Sequence, residues 1–287
     1  RITMKIDSFE SDIVSLAQAF GISRSQAISE IKILFAYSNS LDPVELIKDP
    51  NVMLDPKKVV KYKKLFKDRL QGKPVAYILG YKEFYGLSFQ VNQSVLIPRP
   101  DTELLVDLAI QKIKQHDLRT VLELGTGSGA IAVSVATHMP HIKITATDVS
   151  SVALEVATKN AKALCPNNLI KFQKSDWFSE VSGVFDLVLS NPPYIAEDDI
   201  HLQGEGVRYE PLSALTSGAS GLDALSLIIK QSKHYLDKGG WVLVEHGHDQ
   251  RDSCGKLLRT EGFTSLLAKS DLGGNPRVSG GRMMSEY

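Results

Sequence analysis

Val121-Leu122-Glu123-Leu124-Gly125-Thr126-Gly127-Ser128-Gly129 carries an apolar run straight into three glycines, and Ala130-Ile131-Ala132-Val133 follows. A short apolar run, a glycine-rich break and a second apolar stretch read as a strand, a tight turn and a helix. Glycine lets the backbone approach a ligand closely, and a helix start presents unpaired N–H groups. The turn is therefore expected to hold a nucleotide-like cofactor. The pattern leaves the choice of cofactor open, because Gly125, Gly127 and Ala130 also satisfy a dinucleotide fingerprint with Asp148 downstream. A purely structural glycine turn fits it as well.

Toward the C-terminus, strand-like and helical stretches alternate. The runs are Thr120 to Leu124, a helix from Gly129, Ile142 to Asp148, a helix from Ser150, Ile170 to Asp176 and Phe185 to Asn191. This alternation predicts βαβ units and a parallel sheet. After a long loop come a helix over Gly221 to Leu236, a strand over Gly240 to Glu245, another helix, and antiparallel strands around Gly273-Gly274-Asn275-Pro276. Ligands of open α/β sheets lie beyond the carboxyl ends of the strands, so residues just after these runs are the chemical candidates.

Toward the N-terminus the period changes. Residues 7 to about 72 show helical spacing only: Ile13, Leu16, Ala17 and Phe20, then Ala27, Ile28, Ile31, Leu34 and Phe35. A last helix is predicted to open at Asp55-Pro56 and close near Gly72, with Val59, Tyr62, Phe66 and Leu70 as its apolar stripe. Tyr81 to Tyr85 and Leu87 to Val91 flank Gly86 as a hairpin. The expected organisation is a helical domain (1–75), a β-hairpin linker (76–100) and an α/β domain (101–287).

Asp148 closes the second strand run, where a carboxylate can accept both ribose hydroxyls of an adenosine; a helix N-cap is its other reading. Asp176-Trp177 closes the third run. An indole there suits a ring face and a carboxylate suits an exocyclic amine, although Trp177 also suits plain core packing. Asn191-Pro192-Pro193-Tyr194 follows the fourth run. Its two prolines remove backbone donors and stiffen the loop, so Asn191 and the Pro192 carbonyl project as fixed acceptors. An amide-type nitrogen is a poor nucleophile because its lone pair is delocalised. Acceptors that hold both its hydrogens aim it at a sulfonium methyl and favour pyramidalisation in the transition state. That is methyl-transfer chemistry with S-adenosylmethionine, and hydride transfer has no use for it.

Further stretches narrow the class: Gly72-Lys73-Pro74-Val75-Ala76-Tyr77-Ile78-Leu79-Gly80, Leu96-Ile97-Pro98-Arg99-Pro100-Asp101-Thr102-Glu103, Ser175-Asp176-Trp177-Phe178, Arg208-Tyr209-Glu210-Pro211 and Glu245-His246-Gly247. With Asn191 to Tyr194 they make the sequence resemble the PrmC/HemK family, over nearly the whole chain; the first seventy residues match in helical pattern only. The resemblance implies an α/β, class I (Rossmann-like) S-adenosylmethionine-dependent methyltransferase sheet with a small helical N-terminal domain, a hairpin linker and an antiparallel terminal strand. It implies cofactor contacts at Gly125, Thr126, Gly127, Ser128, Gly129, Asp148, Asp176, Trp177 and Asn191, with S-adenosyl-L-homocysteine as product. Asn191, Pro192, Pro193 and Tyr194 would hold the substrate, with Asn191, Pro192 and Tyr194 as the catalytic set. The implied substrate is the glutamine side-chain nitrogen in the Gly-Gly-Gln loop of peptide chain release factors 1 and 2, docked by the N-terminal domain.

Composition limits the alternatives. Lys plus Arg and Asp plus Glu both number 33 in 287 residues, so the field needed for general nucleic-acid binding is absent. This weighs against the competing reading, adenine-N6 methylation of DNA or RNA, whose exocyclic amine suits the same acceptors. A binding module that keeps the fold without catalysis is opposed by the intact Asn191 to Tyr194. Residues 57 to 73 hold eight basic side chains against Asp68, read as a solvated face or a docking face. His246, His248 and Asp249 lack a spaced third ligand, so no metal is expected. Cys165 and Cys254 stand apart, no apolar run spans a membrane, and the opening shows no signal-peptide core. A cytoplasmic protein is expected, with Arg1 to Thr3 set aside because they precede the first Met.

Overall fold

The computed structural model describes residues 2–3, 9–41, 53–54, 56–167, 169–204 and 206–284. The predicted N-cap Asp55 and the loop residue Glu205 lie outside the described residues. The chain forms two compact units, Arg1–Gly80 with Gln203–Tyr209, and Tyr81–Leu202 with Glu210–Tyr287.

The first unit is built on α1 (Glu10–Phe20), α2 (Arg24–Asn39), α3 (Pro56–Leu70) and the short α4 (Val75–Leu79). A capping box opens α2: Ser23 Oγ accepts from the Gln26 N–H, and the Gln26 side chain accepts in return from the Ser23 N–H. Phe9, Phe35 and Tyr62 meet edge to face with ring centroids 5.0–6.0 Å apart, amid Ile13, Leu16, Ile31 and Leu34. The stripe on α3 differs from expectation at its end. Leu70 is exposed, and Arg69, three residues after Phe66, turns inward instead. Its guanidinium pairs with Glu30 at 2.7 Å and lies 3.8 Å above the Phe20 ring, so a paired, stacked cation completes the stripe. Ile2–Thr3 (β1) and Met53–Leu54 (β2) pair antiparallel, a strand contact in a region expected to be helical only; two residues are too few to show alternation. From residues 203–209, the Arg208 guanidinium and the Tyr209 hydroxyl both donate to the Gln71 carbonyl.

The second unit opens with the hairpin β3 (Tyr81–Phe84) and β4 (Leu87–Gln90). Its turn residues Tyr85 and Gly86 both have left-handed φ, 53° and 73°, the geometry that matches strand twist in a two-residue loop. Tyr85 is held there by donating its N–H to Glu103 at 2.9 Å and its hydroxyl to Asp107 at 2.6 Å. After α5 (Glu103–His116) come β5 (Thr120–Leu124), α6 (Ala130–His138), β6 (Lys143–Asp148), α7 (Ser151–Leu164), β7 (Ile170–Lys174) and β8 (Phe185–Ser190). Then follow α8 (Asp223–Ser232), β9 (Leu236–Glu245), α9 (Arg251–Thr260), β10 (Thr264–Ser270) and β11 (Pro276–Arg282). The seven strands lie in the order β10-β11-β9-β8-β5-β6-β7, and only β11 runs against the rest, pairing antiparallel with both β9 and β10.

The central strands are buried on both faces, which is why they read as continuous apolar runs. Period-two alternation sorts them: Val121, Leu187, Leu189, Trp241 and Leu243 face α5 and α6, while Leu122, Leu124, Val188, Val242 and Val244 face α8 and α9. The strand expected from Gly240 begins at Leu236, which pairs with Phe185 across a register shift; the helix before it ends at Ser232. The polar Asp237 and Lys238 disguise that extension, because both are exposed where the strand begins.

Candidate functional site

The chain leaves β5 for β6 and β7 on one side and returns to β8 on the other. Such a switch opens a crevice at the carboxyl ends of the two flanking strands. A cavity of about 520 Å³ lies there, within the range of small-molecule sites. Gly125, Thr126, Gly127, Ser128, Asp148, Asp176, Trp177, Asn191 and Pro193 all line it. Gly129, Pro192 and Tyr194 do not. The opposite wall, which the sequence did not single out, includes Val95, Pro98, Arg99, Thr102, Ser217, Asp223 and Leu227. Its only sequence signal was the Leu96 to Glu103 stretch.

Gly125, Gly127 and Gly129 all have left-handed φ, at 72°, 55° and 80°. They serve different ends. A Cβ on Gly127 would meet nothing within 4 Å, so the protein leaves that space open, whereas one on Gly129 would lie 3.1 Å from the Ala157 Cβ. Gly129 thus lets α6 start against α7. The turn is clamped from behind by buried Asn160, which donates to the Ser128 carbonyl at 2.9 Å and bonds Gln90 in both directions. Asp148 accepts the Gly127 N–H and the Ser150 N–H, each at 2.9 Å. Burial raises its pKa, and these backbone donors pull it back. The cap of α7 is Ser150, whose hydroxyl accepts from the Ala153 N–H, so Asp148 is not spent as the helix N-cap. Glu123, wholly buried one residue before the end of β5, is pushed by burial up to about 8 although Thr126 donates to it.

Beyond β7, Trp177 has a left-handed φ of 48°, a strained conformation for so bulky a residue. The Ser175 hydroxyl holds it by donating to its carbonyl at 2.8 Å. The indole edge lies 3.7 Å from where a Gly125 Cβ would stand, so the ring flanks the glycine turn while its other side packs on the core. Asp176 beside it is exposed.

Beyond β8, the Ser190 hydroxyl donates to the Leu124 carbonyl at 2.8 Å and fastens the ends of β8 and β5 together. Asn191 then donates from Nδ2 to the Thr102 hydroxyl at 3.1 Å, which leaves Oδ1 as its acceptor at the cavity. Pro192 is buried, and no donor among the described residues reaches its carbonyl. Tyr194 is not among the cavity's lining residues and donates to Glu245 Oε1 at 3.3 Å; burial first, then the Glu245 charge, raises its pKa. The Arg99 guanidinium pairs with Glu210, which also accepts the Ile97 N–H at 3.0 Å, so two of the sequence stretches form one wall.

Other candidates have structural partners. His246 is buried between the Ser279 hydroxyl and the Gly247 carbonyl, each 2.8 Å away, and no metal-holding group occurs among the described residues. Cys165 and Cys254 are both buried. In the basic run, Lys58 donates to the Asn39 carbonyl and Lys61 lies 5.0 Å over the Tyr37 ring, while Lys63, Lys64 and Lys67 are exposed. No helix among the described residues is long and apolar enough to cross a membrane.

Residues 101–204 match the Methyltransferase small domain and residues 15–80 match the PrmC N-terminal domain. The chain is similar to the release factor glutamine methyltransferase of Xylella fastidiosa (strain 9a5c), with 43% identity over 77% of this chain and 80% of that protein. With that of Burkholderia pseudomallei (strain K96243) it shares 39% identity over 88% and 91%. Among solved structures, the hMettl16 catalytic domain in complex with MAT2A 3'UTR hairpin 1 has a TM-score of 0.57 at 19% identity, covering 88% of this chain and 91% of that one, a likeness of fold. A mostly parallel seven-stranded sheet with its cavity at the switch point defines a class I S-adenosylmethionine-dependent methyltransferase. The protein is an enzyme of that class. It belongs to the release factor glutamine methyltransferase family.

Proposed function

We propose that this chain methylates the side-chain amide nitrogen (N5) of the glutamine in the Gly-Gly-Gln loop of peptide chain release factors 1 and 2, in the cytoplasm. The observation that carries the reading is Asn191, which lines the cavity and whose Nδ2 is taken by Thr102, so that Oδ1 is its remaining acceptor. The cavity fits the cofactor. The space left open at Gly127 admits it close to the backbone, each Asp148 oxygen retains an acceptor direction for a ribose hydroxyl, and Trp177 offers a ring edge beside the turn. When bound, S-adenosylmethionine supplies an electrophilic methyl on a sulfonium.

The protein's part is to make a poor nucleophile ready. Asn191 Oδ1 and the Pro192 carbonyl accept the two amide hydrogens of the substrate, which fixes the nitrogen and favours its pyramidal form. On receiving the methyl the nitrogen would gain its fourth bond. Only then is the nitrogen positively charged, and its surplus proton leaves to water without a strong base. The exposed Lys63, Lys64 and Lys67 on α3 suit docking of the substrate protein by the helical domain. Incubation with labelled S-adenosylmethionine and either a release factor or duplex DNA tests the reading: label should enter the release factor, and label in the DNA alone would reject it.

A further inference from the structure

We infer that Glu245 and Thr102 act as positioning residues that set the side-chain amide of Asn191 with its oxygen toward the substrate. The inference rests on the proposed role of Asn191 and extends it to residues that do not touch the reacting atoms. Sheet register brings the group together. Ser190 lies opposite Val244 on the parallel pair β8 and β9, so one step further brings Asn191 and Glu245 to the same carboxyl edge. Glu245 in turn lies opposite Val278 on β11, which puts Arg277 at that edge too. Thr102 arrives from the 3-10 turn Pro100–Thr102 that precedes α5. Glu245 is 1% exposed and Thr102 4%, so solvent does not arbitrate among them.

An amide looks much the same when rotated end for end, but the rotation exchanges an acceptor for two donors. A hydroxyl neighbour alone does not choose between the ends, because it both donates and accepts. A carboxylate behind the hydroxyl does choose. Thr102 stands close enough to the Glu245 carboxyl to favour its charged form, and among the described residues the buried Glu245 Oε2 has no hydrogen-bond partner. The unfilled acceptor draws the Thr102 proton toward itself, leaving Thr102 Oγ1 to accept from Asn191 Nδ2 at 3.1 Å. Tyr194 donates to the other oxygen of the same carboxyl at 3.3 Å, so both ends of the Asn-Pro-Pro-Tyr loop refer to Glu245.

Protonation of Glu245 undoes this, because the carboxylic acid becomes a donor that competes for Thr102. The groups facing it are Tyr194 from the loop after β8, Thr102 and Asp101 from the turn before α5, and Arg277 from β11. Burial is the largest influence and raises its pKa; Thr102, Arg277 and Tyr194 oppose it, and the net is about 7. Ionised Glu245 is the working form, so the rate should rise with pH through neutrality.

The test compares Asn191→Ala, Thr102→Val, Thr102→Ser and Glu245→Gln in single-turnover methylation of a release factor, with calorimetric S-adenosylmethionine affinity and a thermal melt for each. Thr102→Val and Glu245→Gln should slow methyl transfer about tenfold, the scale of one misplaced hydrogen bond, while cofactor affinity moves by less than about threefold. Thr102→Ser, which keeps the hydroxyl, should restore the rate. The wild-type rate should climb through about pH 7, and Glu245→Gln should flatten that climb. Near-normal rates in Thr102→Val and Glu245→Gln beside an inert Asn191→Ala would overturn the positioning role and leave the proposed function standing. A near-normal Asn191→Ala would overturn both. Equal losses in Thr102→Ser and Thr102→Val, or cofactor affinity and melting falling in step with rate, would mark a structural role and also overturn it.

Discussion

Gly127 donates its backbone N–H to Oδ2 of Asp148 at 2.9 Å, which joins the turn after β5 to the carboxylate that closes β6. The ligand-facing backbone and the proposed ribose acceptor are thus held as one piece. Asp148→Ala should weaken S-adenosylmethionine binding by about 1.5–3 kcal/mol, the scale for hydrogen bonds to a charged group. Calorimetry decides it; an unchanged Kd in a folded variant would reject the assignment.

The glycines of that turn should separate when replaced by alanine. Gly129→Ala must hold φ at 80° and place a Cβ 3.1 Å from Ala157, so it should lose about 1–3 kcal/mol of stability in urea denaturation. Gly127→Ala meets no protein atom within 4 Å and should cost less stability, while its methyl occupies the space proposed for the cofactor. Calorimetry should show the larger affinity loss for Gly127→Ala. Cofactor affinity unchanged in that variant would argue that the open space is not the binding surface.

Buried Glu123 should leave a signature in the pH dependence of stability. Its folded pKa stands near 8 against an ordinary glutamate value of 4.5, so between them the folded state holds one more proton than the unfolded chain. The sign follows: its contribution is full below the unfolded value and is lost as pH rises through about 8. At one excess proton the loss is about 1.4 kcal/mol per pH unit. Urea denaturation across neutral pH should show a shallower decline in Glu123→Gln than in the wild type, and equal slopes would contradict the buried-acid account.

The acidic loop after the Asn-Pro-Pro-Tyr stretch, Ala196 to Leu212, suggests a substrate gate. Its later part is already engaged, through Arg208 and Tyr209 on the Gln71 carbonyl and Glu210 on Arg99. Protection from hydrogen exchange on joint binding of a release factor and S-adenosylhomocysteine should therefore concentrate in Ala196 to Leu202, where Ile200 stands 76% exposed. Equal exchange in free and bound protein would count against gating.

What the sequence revealed follows the physics of each segment. β5 and β8 are buried in the sheet centre, so their apolar runs announced them and the position of Asn191 after β8, while the alternating Ile144 and Ala146 of β6 marked the strand that Asp148 closes. The beginning of β9 stayed hidden because Asp237 and Lys238 are exposed there. Spacing alone did not tell Gly127, open to the cavity, from Gly129, packed on Ala157. Thr102 and Glu245 were legible only as members of longer stretches, because their meeting with Asn191 depends on strand register and on a turn distant in sequence. Arg69 was invisible for the same reason: its inward turn needs Glu30 and Phe20 of other helices.

If Asn191 works on the nucleophile more than on the cofactor, Asn191→Ala should lower single-turnover methylation by at least about 100-fold, the scale for one preorganised transition-state contact. Its S-adenosylmethionine affinity should fall far less. Parallel losses of rate and affinity would instead make Asn191 a cofactor ligand.

The most direct measurement is mass spectrometry of a release factor digested after incubation with the enzyme and S-adenosylmethionine. The proposed chemistry predicts one added methyl on the side-chain nitrogen of the Gly-Gly-Gln glutamine, and none when that glutamine is replaced by asparagine, whose shorter side chain withdraws the nitrogen from the methyl. A methyl on any other residue, or on the asparagine variant at the wild-type rate, would contradict it.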